Sequence, residues 1–156
     1  MSTHLVTGYA GRSHVKASDH GSFNAALLGG GEFVLERGKQ LECQVISNNV
    51  VRILDGDILM QGRHIMIDPG TYEEANFDNG TAGYQRIDLI VMTYEKDSTT
   101  GTETAAIEVI KGTPVTGTAT VPVHVTGDIL NEGAYKNQMP LYKVPFDGIT
   151  IGSPVK

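Results

Sequence analysis

From Gly31 onward the chain is patterned as strands, with apolar and polar residues alternating in short runs. The clearest case is Arg86 to Tyr94, reading RIDLIVMTY, followed by Glu103 to Thr113, reading ETAAIEVIKGT. Alternation puts Ile87, Leu89 and Val91 on one face and Arg86 and Asp88 on the other, and Ala105, Ile107 and Val109 repeat the pattern. Lys96 to Gly101 between the two runs is polar and ends on a glycine that tolerates positive φ. The pair predicts a long antiparallel hairpin whose Ile87–Leu89–Val91 face anchors a sheet.

The same reading places shorter strands at 32–35, 41–46, 50–54, 58–60, 64–67, 71–77 and 139–146. Ser47-Asn48-Asn49 and Gln61-Gly62-Arg63 mark hairpin turns, while Asp55-Gly56-Asp57 and Asp68-Pro69-Gly70 are expected to reverse the chain. On the strand at 71–77, Tyr72 falls on one side and Ala75 and Phe77 on the other. Pro140 and Pro145 near the ends of the last strand suggest an edge position, because proline donates nothing to the ladder. Residues 1–17 read as an extended arm. Ser18 or Asp19 caps a short helix over 18–28, with Phe23, Ala26 and Leu27 as its buried side, and Gly29-Gly30-Gly31 ends it. Residues 112–126, rich in Thr, Val, Gly, Ala and Pro, form a long loop expected to act as an arm or lid or to pack across the sheet. Residues 127–133 stay open between a loop and a turn of helix. The expected architecture is mainly β, an antiparallel β-sandwich or barrel-like domain with one short N-terminal helix: a single domain over 1–156, its β-rich body at 31–147.

Composition narrows the function classes. At 156 residues with 40% apolar and 19% charged residues, the chain has material for one packed core. A net charge of -6 with twelve dispersed Lys and Arg disfavours a nucleic-acid surface. Cys43 is the only cysteine, so no intramolecular disulfide forms, and its alternation with Leu41 and Val45 assigns it to packing. The N-terminal stretch lacks the apolar region of a signal peptide, and no apolar run approaches the roughly 20 residues of a membrane helix.

The candidate chemistry is thin. His4, His14, Asp19 and His20 lie close in sequence, but their spacing matches no metal-ligand signature. Asp55, Gly56, Asp57 and Asp68 resemble the start of a calcium loop, yet Leu59, Gln61 and Arg63 fall where further oxygen ligands belong. Ser13, His14, Ser18 and Asp19 supply the residue types of a nucleophilic triad without a G-x-S-x-G elbow. Glu73 and Glu74 are neighbours on a strand and point to opposite faces, so they do not form an acid–base pair. No cofactor signature is present: Gly29 to Gly31 lacks the lysine and following helix of a phosphate cradle. Arg86 and Asp88 share a strand face and can pair. If Asp88 is buried, the pair becomes a structural pin for loop backbone.

Several of these elements recur together in a known family. A glycine-bounded strand pair (Gly56 to Ile67), an R-x-D-x-I/L-V strand (Arg86 to Val91), a strand ending in K-G-T-P (Ile107 to Pro114) and a later apolar segment (Leu141 to Val144) follow in order. With His14-Val15, Ser18-Asp19 and Phe23-Asn24 upstream, the chain resembles the N-terminal domains of phage and prophage tail-fibre, baseplate and receptor-binding proteins. The resemblance implies a non-enzymatic virion structural protein of the tail or baseplate, made in the bacterial cytoplasm. It further implies contacts with other tail or baseplate proteins and a homo-oligomer, commonly a trimer. Symmetric assembly would bury Leu5, Val6, Tyr9 and His14 of the arm against a neighbour. Family members often continue into a shaft and receptor-binding head, whereas this sequence stops at Lys156, so the resemblance leaves open a standalone adaptor or a receptor-binding part on another chain or outside this sequence. A carbohydrate-binding module for cell-wall glycan is the alternative; the absence of tryptophan and the scattered Tyr9, Tyr72, Tyr84, Tyr94, Tyr135 and Tyr142 weigh against it.

Overall fold

Strand β3, Val50–Met60, is the hub of the first sheet in a computed structural model that describes residues 3, 5–9 and 11–156. On one side it pairs with β4, Arg63–Asn76, across the Gln61-Gly62 turn, where φ values of 47° and 82° give the left-handed corner a tight hairpin needs. On its other side lie β1, Glu32–Gly38, and β2, Cys43–Ser47, end to end and both antiparallel to β3. Asp55-Gly56-Asp57 does not reverse the chain; it is where β3 bends. Register shifts opposite this point on both sides: Gly56 pairs with Ile67 but Leu54 with Tyr72, so four residues of β4 face the single Asp55. The expected stop at Asp68-Pro69-Gly70 is therefore a bulge inside β4. On the other side Gln40 and Leu41 adopt φ of 51° and 57°, and Leu41 turns fully into the core. Only glycine fits at 56, since a Cβ there would lie 2.8 Å from the Leu41 nitrogen.

The second sheet has the order β6-β5-β7-β8, with β5 at Gln85–Lys96, β6 at Glu103–Ile110, β7 at Lys136–Asp147 and β8 at Thr150–Ile151. β5 and β6 form the long hairpin expected from the sequence. Its faces are reversed, however. Ile90, Met92 and Tyr94 point into the core, on the same face as Arg86 and Asp88, while Leu89 and Val91 are buried on the opposite face. The 112–126 segment supplies the reason. Val115 pairs with Gln85 beside β5, and Val125 bonds Gln138 on the far side of β7, so the segment straps the outer face of the sheet. β7 is not an edge strand either, being flanked by β5 and β8. Its prolines still obey their chemistry: Gln138 and Lys143 send their N–H groups away from β5, to Val125 and Val155, and Pro140 and Pro145 follow each by two residues. The missing donors thus fall on the sparsely paired side.

The two antiparallel sheets close over one core, a mainly β, sandwich or barrel-like fold in which one sheet curls as a half-barrel. Val51, Ile53, Ile58, Met60, Ala75 and Phe77 of the first layer meet Ile90, Met92, Leu141, Tyr142, Val144 and Phe146 of the second. The Tyr142 hydroxyl donates to the Leu41 carbonyl at 2.9 Å and ties the layers together. Tyr72 is exposed, with Ala75 and Phe77 buried, as alternation requires. Residues 127–133 form a turn held by the Asp128 carboxylate, which accepts the Asn131 N–H at 2.7 Å. Among the described residues, no helix is long and apolar enough to cross a membrane.

Candidate functional site

The one helix among the described residues, α1, spans Ala17–Leu28 and presents an unexpected face. Lys16 is the N-cap residue, and Asp19 serves it from the first turn, its carboxylate accepting the Lys16 N–H at 2.8 Å. Gly29, with φ of 97°, ends the helix. The helix crosses the β3–β4 turn where two glycines meet: a Cβ on Gly62 would come within 2.0 Å of the Gly21 carbonyl oxygen, and one on Gly21 within 2.1 Å of Arg63 Nη1. Asn24 Nδ2 donates to the Gly62 carbonyl at 3.0 Å and fixes the rotation. The side packed on the body is therefore Gly21, Asn24 and Ala25. Phe23 and Leu27, expected to be buried, are 63% and 66% exposed, and Ala26 is exposed with them. Close backbone approach through glycine overrides the larger apolar face. Leu28, also exposed, and the Phe33 ring, which sits over Gly29 and Gly31, extend this face toward β1.

The arm continues the surface. Leu5 is 74% and Tyr9 95% exposed, with Val6 and His14 half-buried. The His14 ring spans the carbonyls of Arg12 and Leu5, at 3.2 and 3.3 Å, and closes the arm into a loop. Between arm and helix runs a groove of about 580 Å³ lined by Val6, Val15, Phe23 and His20. Leu5, Tyr9 and His14 line a second depression with Ser18 and Asp19 of α1, while Val6 lines the groove beside Phe23, whose helix face periodicity had assigned to the core.

Arg86 and Asp88 occupy the opposite situation, 3% and 0% exposed. The Arg86 guanidinium grips the carboxylate with two bonds, Nε to Oδ1 at 2.8 Å and Nη2 to Oδ2 at 3.0 Å. Its remaining N–H groups reach the carbonyls of Asp78 (2.7 Å) and Asn79 (3.2 Å), and Asp88 Oδ1 also accepts the Gly112 N–H at 2.8 Å. The guanidinium stacks over Phe146, 4.4 Å from the ring centroid. One ion pair therefore holds the entry to β5 and the root of the strap.

The catalytic and metal leads disperse. Asp19 accepts the Lys16 N–H in the first turn of the helix and His14 closes the arm; His4 lies outside the described residues. Among the described residues no group of three or more His, Cys, Asp or Glu side chains is placed to hold a metal ion. Burial pushes the half-buried Cys43 thiol up to about 11, away from nucleophilic character. Of the tyrosines offered to a sugar, Tyr72 is covered by the Arg52 guanidinium at 4.1 Å and Tyr135 faces the Lys96 ammonium at 6.0 Å.

Two polar clusters escaped the sequence reading because their members come from different strands. Asp57, almost fully buried, meets Arg37 Nη1 at 2.6 Å and His64 Nε2 at 3.0 Å. Burial raises the Asp57 carboxyl, but hydrogen bonds from His64 and Arg37 and their charges outweigh it, so its pKa falls below the ordinary value. Glu103 Oε1 accepts from Arg63 Nη2 at 3.0 Å and from the Tyr94 hydroxyl at 2.7 Å. Burial and the Glu103 carboxylate push the Tyr94 phenol up to about 12. Pairing of β3 with both β1 and β4, pairing of β5 with β6, and packing of β4 against β6 bring these groups together, and no local motif announces it.

No protein-family model matches the chain, and no curated protein matches it.

Proposed function

We propose that the chain is a non-enzymatic attachment module of a phage or prophage tail or baseplate, working through protein–protein contacts made by the arm and α1. The observation that carries the reading is the exposure of Phe23, Leu27 and Leu28 on a helix held rigidly to a β body by its glycine crossing. Apolar side chains fixed outward in this way are not free to fold back into the core, and burial against a partner recovers their transfer free energy, about 1.5–3 kcal/mol for each large side chain. The sequence resemblance supplies the biological setting and a homo-oligomer, with a trimer favoured; other tail or baseplate proteins are the further partners.

The test is assembly. Purified chain mixed with tail or baseplate components of its phage is expected to co-sediment with them, and Phe23→Ser with Leu27→Ser is expected to abolish this while leaving the far-UV circular dichroism unchanged. Failure of the native chain to join any tail assembly, or undiminished joining by the double variant, refutes the reading.

A further inference from the structure

The outer face of the first sheet carries an imidazole and a thioether side by side. His64 and Met66 are two residues apart on β4 and project on the same side, while Ile65 between them packs against the core. Both are about half exposed, 49% and 45%, whereas Met60, Met92 and Met139 are buried. Asp57, opposite Met66 on β3, ties the two together. Its Oδ2 lies 3.0 Å from His64 Nε2, and its Oδ1 accepts from Arg37 Nη1 at 2.6 Å, the same nitrogen that touches Met66 Sδ at 3.4 Å. An ionised carboxylate only accepts hydrogen bonds, so Nε2 is the nitrogen that carries the proton. In the neutral ring Nδ1 is then a bare lone pair, directed away from the buried Asp57 on a half-exposed side chain. A carboxylate that fixes the tautomer in this way is the usual support of a metal-ligating histidine.

We propose that His64 Nδ1 and Met66 Sδ bind a soft monovalent cation of the Cu(I) and Ag(I) class, with Asp57 as the positioning residue that holds the ring. A thioether donor selects soft ions, and two donors suffice for a d¹⁰ monovalent ion, which readily takes a two-coordinate geometry. Charge points the same way. Asp57 and Arg37 cancel, and the guanidinium beside the sulfur opposes a divalent ion more strongly than a monovalent one. Binding replaces the Arg37 contact on Met66 Sδ and leaves the Arg37 bond to Asp57 in place.

The test titrates Ag(I), as the nitrate in chloride-free buffer at about pH 7.5, where an imidazole is largely neutral, into the full chain. The Met66 ε-methyl and the His64 ring nitrogens are followed by NMR. The expected result is a saturable shift of both together, with the ¹⁵N change larger at Nδ1 than at Nε2. The Met66 methyl reports on this site alone, so silver captured by Cys43 delays the shift and does not imitate it. His64→Gln and Met66→Leu, at half-exposed positions, are expected to keep the native far-UV circular dichroism and each to weaken binding by roughly tenfold or more. Asp57→Asn is expected to weaken it by about tenfold and to release the ring from the Nε2–H tautomer, seen in its ¹⁵N shifts. Zn(II) is expected to leave the Met66 methyl unmoved. The proposal is overturned if excess silver does not shift that methyl, if His64→Gln or Asp57→Asn binds as tightly as the native chain, or if zinc shifts the methyl as far as silver does.

Discussion

Replacing Asp88 with Ala removes the carboxylate from a site where its partner cannot follow it into water. Arg86 is 3% exposed and its guanidinium would retain only the carbonyls of Asp78 and Asn79 and the Phe146 ring, while the Gly112 N–H would lose its acceptor. Breaking a buried pair by deleting one member costs about 3–5 kcal/mol, most of it the uncompensated charge. The orphaned Gly112 amide belongs to the same network, so its roughly 1–3 kcal/mol overlaps with that figure and is not added in full. Against a domain stability of about 5–15 kcal/mol, the loss is large, and Tm should fall by roughly 10 °C. Urea unfolding followed by far-UV circular dichroism measures it directly. Asp88→Asn should cost less, about 2 kcal/mol, because its amide oxygen still accepts from Gly112. Arg86→Met with Asp88→Val should recover part of the single-variant loss, since no charge is stranded. A cost below about 1 kcal/mol for Asp88→Ala would refute the reasoning, because it would mean that water reaches Arg86 at no penalty.

Three further outcomes follow from the same geometry. Gly62→Ala places a Cβ 2.0 Å from the Gly21 carbonyl at a φ of 82°, and should destabilise by about 2 kcal/mol or more, with α1 the first segment to lose hydrogen-exchange protection. Asp57 has its folded pKa lowered by His64 and Arg37, so its contribution is fully present above the unfolded value near 3.9 and is lost as pH falls through the folded value. Acid titration of stability should therefore steepen below about pH 4, and Asp57→Asn should flatten that limb; an unchanged acid limb would exclude the mechanism. Cys43, pushed up to about 11, should react with a thiol reagent at pH 8 roughly a hundredfold more slowly than the unfolded chain; equal rates would contradict its burial.

Much of the fold was legible because strands advertise their period. The β5–β6 hairpin, the Gln61-Gly62 corner and the Gly29 helix stop each rest on local chemistry, and each stands where that chemistry places it. What escaped was long-range. Alternation could not tell which face of β5 meets the core, because the strap buries Leu89 and Val91 on the other side as well. Asp55-Gly56-Asp57 and Asp68-Pro69-Gly70 carry turn residues, yet they serve as opposed irregularities that bend a paired sheet, and composition does not distinguish a bulge from a reversal. For α1 the apolar positions were a misleading guide: contact between Gly21 and Gly62, 41 positions apart, decided the packed side and left Phe23 and Leu27 outside. The candidate surface is the product of that contact, and so could not be read from the helix alone.

The most direct measurement is the solution mass of the native chain by sedimentation equilibrium, over a wide concentration range, beside the Phe23→Ser, Leu27→Ser variant. The native chain is expected to associate toward three times its 16.7 kDa, and the variant to stay folded and remain at 16.7 kDa. A native chain that holds the monomer mass at the highest concentration, or a variant that associates equally well, would contradict a docking role for the outer face of α1.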